Sequence, residues 1–171
     1  MTEEDARGLF SVFRCSPDSD IEGFLHSKAF MFQRRDWSSV YFIVDYDKIA
    51  VGKQVVEAYF TLSHKAIELK GTVSKSQRKR IWGGVINDDP IAHFVLIGHM
   101  GKYISPEYIS PISAGEILRY AWEIIAESHD LITFTSVLVE CRNEPKLIER
   151  YTENGFVYLQ EDDLVQMIRR V

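Results

Sequence analysis

The 171-residue chain has only two cysteines, no long apolar segment and no excess of positive charge. Two cysteines are too few for a disulfide framework, so Cys15 and Cys141 are expected to be reduced, buried thiols. The longest apolar run, residues 94–98, is far shorter than the roughly 20 residues of a membrane helix, and the acidic N-terminus lacks the basic head of a signal peptide. These absences predict a cytoplasmic protein without membrane contact.

The charge balance is acidic, with a formal net charge of -5. Non-specific binding to nucleic acid depends on neutralising phosphates with Lys and Arg, so this balance argues against nucleic acid as a partner. A basic cluster at residues 75–80 is expected to be a solvated face. The five histidines show no close pairing with each other or with cysteine, so no metal site is predicted.

Segments rich in β-formers alternate with amphipathic segments, and no repeat or linker divides the chain, so one domain is predicted over residues 1–171. A helix capped by Asp18 or Asp20 is expected to bury Ile21, Phe24, Leu25 and Phe32. Further helices are predicted from Ser113 and over residues 145–154, with Gly155 as the stop, and residues 74–82 predict a helix or loop. Strands are predicted over residues 9–14, 40–44, 55–62, 93–97, 133–141, 156–159 and 165–168, with Gly52 in the turn between the second and third.

The most informative segment is residues 141–156, Cys-Arg-Asn-Glu-Pro-Lys-Leu-Ile-Glu-Arg-Tyr-Thr-Glu-Asn-Gly-Phe. It combines Asn143, an aliphatic pair, Tyr151 and Gly155-Phe156. This pattern resembles the C-terminal signature of the GNAT N-acetyltransferases. The resemblance implies an α+β domain, with a mostly antiparallel, twisted sheet of six to seven strands that is splayed in the middle and flanked by about four helices. It also implies acetyl-coenzyme A as the cofactor.

Tyr151 is the candidate general acid under this resemblance. A tyrosine with an ordinary pKa near 10 is protonated at neutral pH and could protonate the departing thiolate. Spacing alone would favour a core tyrosine, because Leu147, Ile148 and Tyr151 form one apolar stripe. Asn143 is expected either to contact the cofactor or to cap the helix that follows.

The remaining cofactor contacts are also implied by the resemblance. In the family a helix N-terminus binds the diphosphate, and Ala114 and Gly115 match the small residues of that element, although its leading Arg or Gln is missing. Ser113 and Glu116 alternatively spell a capping box. Gly101 and Lys102 are further cofactor candidates, Lys102 as a replacement cation, and Ile97 and His99 are assigned to the cofactor-binding strand, interrupted at Gly98.

The attacking amine must lose a proton, so a base or a water relay is expected. Glu57, Glu140 and His99 are the candidates, at strand positions that could face a central cleft. None has a distinctive spacing, and taken alone each fits a structural or surface group better than a catalytic one. Cys141 lacks an evident partner for a nucleophilic role and is expected to be a buried strand thiol.

The resulting hypothesis is direct acetyl transfer from acetyl-coenzyme A to a primary amine of an unidentified small-molecule or peptide acceptor. A homodimer is left open. One alternative is toxin-like acetylation of aminoacyl-tRNA, with residues 75–80 holding RNA. Another is a domain that binds acyl-coenzyme A or a protein without catalysis.

Overall fold

The computed structural model describes residues 3–49, 56–85 and 87–171. The described residues form seven helices and six strands. The helices are α1 (Glu3–Val12), α2 (Ser19–Ser27), α3 (Ala29–Arg34), α4 (Tyr46–Ile49), α5 (Lys75–Ile81), α6 (Ala114–His129) and α7 (Pro145–Glu153). The strands are β1 (Ser39–Val44), β2 (Val56–Glu68), β3 (Ile91–Lys102), β4 (Ser136–Cys141), β5 (Val157–Glu161) and β6 (Val165–Arg170).

The strands form one sheet in the order β1-β2-β3-β4-β6-β5. The pairs β1–β2, β4–β6 and β5–β6 are antiparallel, whereas β3 and β4 are parallel. A parallel pair needs a crossover connection, and α6 lies within it. The predicted mixed, mostly antiparallel sheet is therefore confirmed with six strands, and four of the described helices have nine residues or more.

The strand predicted at residues 9–14 is wrong, because α1 continues to Val12. Short apolar runs do not distinguish a strand from a buried helix by pattern alone. The two most buried residues there, Phe10 and Phe13, are three positions apart, which is the spacing of one helix face.

The next helix begins as predicted but is interrupted. Oδ1 of Asp18 accepts the backbone N–H groups of Asp20 and Ile21 at 3.1 and 3.3 Å, so Asp18 is the N-cap of α2. The predicted continuation to Phe32 is split at Lys28, where α2 ends and α3 begins. The predicted turn residue Gly52 and the predicted strand start at residue 55 lie outside the described residues.

The chain groups into two compact units, Met1–Leu62 with His99–Ile117, and Ser63–Gly98 with Leu118–Val171. The single domain over residues 1–171 stays a prediction. The first unit has a core of Phe10, Phe13, Cys15, Phe24, Leu25, Ala29, Val56 and Tyr59. The second has a core of Ile67, Leu69, Val73, Ile81, Ala92, Phe94, Leu138, Leu159 and Ile168. None of the described helices combines the length and hydropathy that crossing a bilayer would require.

Candidate functional site

Tyr151 lies on α7, in the second unit. Pro145 begins the helix, and Gly155 ends it with φ of +84°, a conformation that glycine adopts without strain. The Tyr151 ring is buried and packs edge-on against Phe156, with ring centroids 5.8 Å apart. The two parts of the predicted signature, the tyrosine and the Gly-Phe pair, are thus in contact.

The Tyr151 hydroxyl has no hydrogen-bond partner within the described part of the chain. Among the described residues, two side-chain oxygens are both fully enclosed and without a hydrogen-bond partner, the hydroxyls of Ser38 and Ser136. The Tyr151 oxygen is not among them. The oxygen is therefore not fully enclosed, although its ring is buried. Burial and the nearby Cys141 thiol raise the pKa of Tyr151 to about 12, so the phenol is protonated at neutral pH and available as a donor.

Asn143 precedes α7 but does not cap it. The N-cap is Glu144, without a side-chain hydrogen bond to the helix, so the capping interpretation of Asn143 is wrong. The Asn143 side chain instead donates from Nδ2 to Oε1 of Glu161 at 2.9 Å. It thereby ties the β4–α7 turn to the end of β5 at the surface.

Strands β3 and β4 pair over only three residues. Their register joins Val95 to Val137, Leu96 to Leu138 and Ile97 to Val139, whereas β3 continues to Lys102 and β4 to Cys141. Pairing between these two strands therefore ends at Ile97, which is buried. The strand itself is not interrupted at Gly98, contrary to the prediction, because β3 continues through it to Lys102; what ends there is the pairing with β4.

His99 and Gly101 have packing roles in the first unit. The His99 ring stacks on Phe24 at 3.7 Å with an interplanar angle of 8°. Burial, with Lys28 nearby, lowers the pKa of His99, so its imidazole is neutral at pH 7. A Cβ atom at Gly101 would lie 2.6 Å from Cγ2 of Ile21, so only glycine fits there unless the Ile21 side chain moves.

The N-terminus of α6 carries the predicted capping box. Oγ of Ser113 accepts the Glu116 amide at 3.2 Å, and a Glu116 carboxylate oxygen accepts the Ser113 amide at 2.8 Å. The amides of Ala114 and Gly115 have no acceptor in the part of the chain that the structure describes. Two backbone donors thus remain at this helix end. Lys102 Nζ donates to the Ser110 carbonyl at 3.0 Å, on the loop before α6.

Glu57 is a buried carboxylate on β2, held by two side chains. The Tyr108 hydroxyl lies 2.8 Å from both of its oxygens, and Lys48 forms an ion pair with it. Burial raises the pKa of Glu57, but the hydrogen bonds from Lys48, Ser110 and Tyr108 outweigh it and leave the pKa below its ordinary value. To act as a base, Glu57 would have to part from this lysine.

Glu140 belongs to a row of polar side chains on one face of the second unit's sheet. Lys65 Nζ lies 2.6 Å from one Glu140 oxygen, and Gln166 Nε2 donates to the other at 2.8 Å. Gln160 Nε2 in turn donates to Gln166 Oε1 at 2.8 Å. A cleft of about 540 Å³ is lined by this row together with Glu68, Lys70, Asp162 and Asp163. Glu140 is therefore ion-paired, like Glu57.

The predicted site residues are distributed over both units. Ile97, Glu140, Asn143 and Tyr151 lie in the second unit, and Glu57, His99, Gly101, Lys102, Ser113, Ala114, Gly115 and Glu116 lie in the first. Sequence reasoning missed Lys48 and the two glutamines of the polar row. A glutamine in each of two adjacent apolar strands was the available signal for the row.

No family model matches the chain, and no curated protein matches it. Solved structures do. AtaT complexed with acetyl-methionyl-tRNAfMet is 16% identical with a TM-score of 0.70, and covers 94% of this chain and 86% of that chain. AtaTR bound with acetyl-coenzyme A is 17% identical with a TM-score of 0.67 and the same coverage. A Tyr-to-Phe variant of KacT is 19% identical with a TM-score of 0.67, again covering 94% and 86%.

AtaT is described as a toxin, and both AtaT and KacT have the GNAT acetyltransferase fold. The similarity to them extends over nearly the whole chain and agrees with the six-stranded, mostly antiparallel sheet described above. The chain therefore has a GNAT-like fold, as the resemblance of residues 141–156 predicts.

Proposed function

We propose that this protein is an acyl-coenzyme A-dependent N-acetyltransferase whose acceptor is the amino group of an aminoacyl-tRNA. The observation that carries the proposal is the Tyr151 hydroxyl, which is protonated, not fully enclosed and unpaired among the described side chains. The fold that holds this hydroxyl is similar to that of AtaT, whose structure has been solved in complex with acetyl-methionyl-tRNAfMet. The proposal thus favours the tRNA alternative over an unidentified small amine.

The residues of the second unit fit a direct transfer. Acetyl-coenzyme A supplies the activated acetyl group as a thioester. In the transfer the acceptor nitrogen forms a bond to the acetyl carbon as the carbon–sulfur bond breaks. Tyr151 gives its proton to the leaving sulfur and regains one from solvent, while water takes the proton of the amine. Backbone groups of β3 from Ile97 onward, where pairing with β4 ends, are proposed to hold the pantetheine arm.

The diphosphate is proposed to bind at the N-terminus of α6, in the first unit. The unpaired amides of Ala114 and Gly115 fit this role, because a helix N-terminus presents N–H groups and a positive dipole to an anion. The Glu116 carboxylate opposes it, since it would lie near the ligand's negative charge unless its side chain turned away. Lys102 is proposed as the neighbouring cation.

The tRNA is proposed to contact α5. Lys75, Lys79 and Arg80 are exposed on this helix and have no ion-pair or hydrogen-bond partner among the residues that the structure describes. Arg78 is held by the Asp89 carbonyl at 3.1 Å. The acidic total charge argues against general affinity for nucleic acid, whereas a local basic helix is compatible with one RNA partner.

The catalytic test follows acetyl transfer to charged tRNA by the wild-type protein and by Tyr151→Phe. We expect Tyr151→Phe to lower turnover by about 10²-fold, the usual scale for general acid catalysis, with unchanged affinity for coenzyme A. Tyr158→Phe is the matched control, because Tyr158 is an exposed tyrosine of the same unit. Equal turnover in the wild-type and Tyr151→Phe proteins would remove Tyr151 from the mechanism.

The RNA test measures tRNA affinity against salt concentration. We expect Lys79→Ala/Arg80→Ala to reduce the slope of log affinity against log salt by about 2, one unit for each lost phosphate contact. Lys28→Ala/Arg34→Ala removes two exposed charges elsewhere and serves as the control. No tRNA binding by the wild-type protein at low salt would exclude the tRNA acceptor, and a panel of polyamines, amino acids, aminoglycosides and peptide N-termini would then identify the amine.

A second candidate function is binding of acyl-coenzyme A without catalysis. The Glu116 carboxylate at the helix end proposed for the diphosphate favours it. Calorimetry with coenzyme A, combined with the acceptor panel, separates the two functions. Binding without any product would support the non-catalytic function.

A further inference from the structure

Three chain segments of the first unit meet at the buried carboxylate of Glu57. Lys48 comes from α4, Glu57 from β2, and Tyr108 from the loop between β3 and α6. The three side chains bond one another, because the Lys48 ammonium contacts Glu57 and also lies 2.6 Å from the Tyr108 hydroxyl. The Tyr108 hydroxyl donates in turn to Glu57. Only 6% of Glu57 is exposed, so water competes little with these bonds.

Lys48 is itself held from a second side. Its Nζ atom lies 3.3 Å from Asp45, and the Asp45 carboxylate accepts the backbone amide of Asp47 at 3.0 Å. The ammonium also lies over the Tyr108 ring, 4.5 Å from its centroid. These contacts fix Lys48 beside Glu57 and Tyr108. The carboxylate of Glu57 is therefore held by a connected network of side chains.

Bonds continue from this trio along the loop to α6. The Glu57 carbonyl accepts the Tyr103 amide at 2.8 Å, and the Tyr103 carbonyl accepts the Ser110 amide at 2.9 Å. The Ser110 hydroxyl is near enough to the Glu57 carboxylate to lower its pKa. The same hydroxyl accepts the Ile112 amide at 3.3 Å. Ile112 directly precedes Ser113, the residue that caps α6.

We infer that Glu57 is a positioning residue, which holds the loop of residues 103–112 and so sets the first turn of α6 for the diphosphate of acetyl-coenzyme A. The inference rests on the proposed function, because it assigns that helix end to the cofactor. Glu57 acts through Tyr108, which lies on this loop, and does not touch the cofactor. This role differs from that of a general base, which would have to leave Lys48.

The experiment compares Glu57→Gln and Tyr108→Phe with Tyr59→Phe. Tyr59 is the matched control, because its hydroxyl donates to the Ile21 carbonyl at 2.6 Å within the same unit and does not contact the loop. The first measurement is amide hydrogen exchange over residues 103–117 in the protein without ligand. The second is the dissociation constant of coenzyme A by calorimetry, together with KM and kcat for acetyl-coenzyme A.

We expect Glu57→Gln and Tyr108→Phe to accelerate exchange in residues 103–117 by about tenfold and to weaken coenzyme A binding by about tenfold, the effect of losing one bond to a buried charged group. KM should rise in parallel, and kcat should change by less than about threefold, because the reacting atoms are not touched. Tyr59→Phe should lower the unfolding temperature without either change. If Glu57→Gln does not fold, Tyr108→Phe alone provides the test.

Wild-type exchange and wild-type affinity in both variants would overturn the inference. Equal weakening in Tyr59→Phe would also overturn it, because the effect would then be general loss of stability. Failure of the wild-type protein to bind coenzyme A would overturn the proposed function and this inference together. Coenzyme A binding by the wild-type protein with no change in the variants would overturn the inference alone.

Discussion

The Tyr108 hydroxyl lies 2.8 Å from each of the two carboxylate oxygens of Glu57, 51 residues away in the sequence. Lys48 bonds both groups. The Tyr108 hydroxyl is therefore hydrogen-bonded to a negative carboxylate and to a positive ammonium group. Its bonds to Glu57, then to Tyr108, raise the pKa of Lys48 above its ordinary value of 10.5. The lysine is therefore charged throughout the range in which Glu57 titrates.

Stability should depend on the ionisation of Glu57. Its pKa in the folded protein is below its ordinary value of 4.5, so the ion pair contributes stability above pH 4.5 that is lost as pH falls through the lowered pKa. Glu57→Gln should lower the free energy of unfolding by roughly 2–4 kcal/mol at pH 7. The loss should be smaller than for a fully buried ion pair, because Lys48 is partly exposed. Thermal unfolding of both proteins from pH 3 to 8 measures this, and a difference that grows on acidification would contradict it.

Gly101→Ala should destabilise the first unit. The new methyl group would lie 2.6 Å from Cγ2 of Ile21, and the resulting shift should cost about 1–3 kcal/mol. Gly71→Ala is the control, because a Cβ atom at Gly71 meets nothing within 4 Å. Urea unfolding measures both variants. Ile21→Ala removes the clashing methyl group, so adding Gly101→Ala to that variant should lower the free energy of unfolding by less than it does in the wild-type protein. An equal loss in both backgrounds would contradict the clash.

Gln166→Met should destabilise the polar row of the second unit. It removes the donor to one Glu140 oxygen and one of the two acceptors of Gln160 Nε2, both at 2.8 Å. Gln160 keeps its bond to the Glu68 carbonyl at 2.9 Å, and Glu140 keeps Lys65. We expect a loss of about 1–3 kcal/mol in urea unfolding, because two hydrogen bonds of partly buried groups are removed. Gln33→Met is the control, since Gln33 is exposed and its side chain bonds one group among the described residues, the Val40 amide. Equal losses in the two variants would show that burial of the row has no energetic role.

Tyr151 should keep its proton well above neutral pH. Because its pKa is raised to about 12, turnover at saturating substrates should show no decline from this group up to about pH 10. The pH profile of kcat, with the residual activity of Tyr151→Phe subtracted, tests this. A decline centred near pH 9 that disappears in Tyr151→Phe would contradict the raised pKa.

Local signals predicted the C-terminal half of the fold well. The end of α7 follows from Gly155, which alone suits a φ of +84°, and the start follows from Pro145 at the first helical position. The contact between Tyr151 and Phe156 follows from the same short segment. These features depend on residues a few positions apart, so the sequence pattern contains their geometry.

Other features depend on partners far away along the chain. The apolar run at residues 9–14 is compatible with a strand or with a helix when it is considered alone. Packing partners elsewhere in the chain, such as Tyr59 against Phe13, favour the helical conformation of α1. Glu57 was a candidate for a base because a strand carboxylate can face a cleft. Its commitment to Lys48 and Tyr108 arises from segments that only the folded chain brings together, as does the pairing of Glu140 with Lys65.

The row of Lys65, Glu140, Gln166 and Gln160 also restricts how the last three strands can align. Glu140 lies opposite Gln166, and Gln166 opposite Gln160. A slip of β6 by one residue would turn Gln166 to the other face of its strand and break its bonds to both Glu140 and Gln160 at once. Misaligned hairpins are therefore penalised during folding by their unpaired amides, so the row contributes to a unique register as well as to stability.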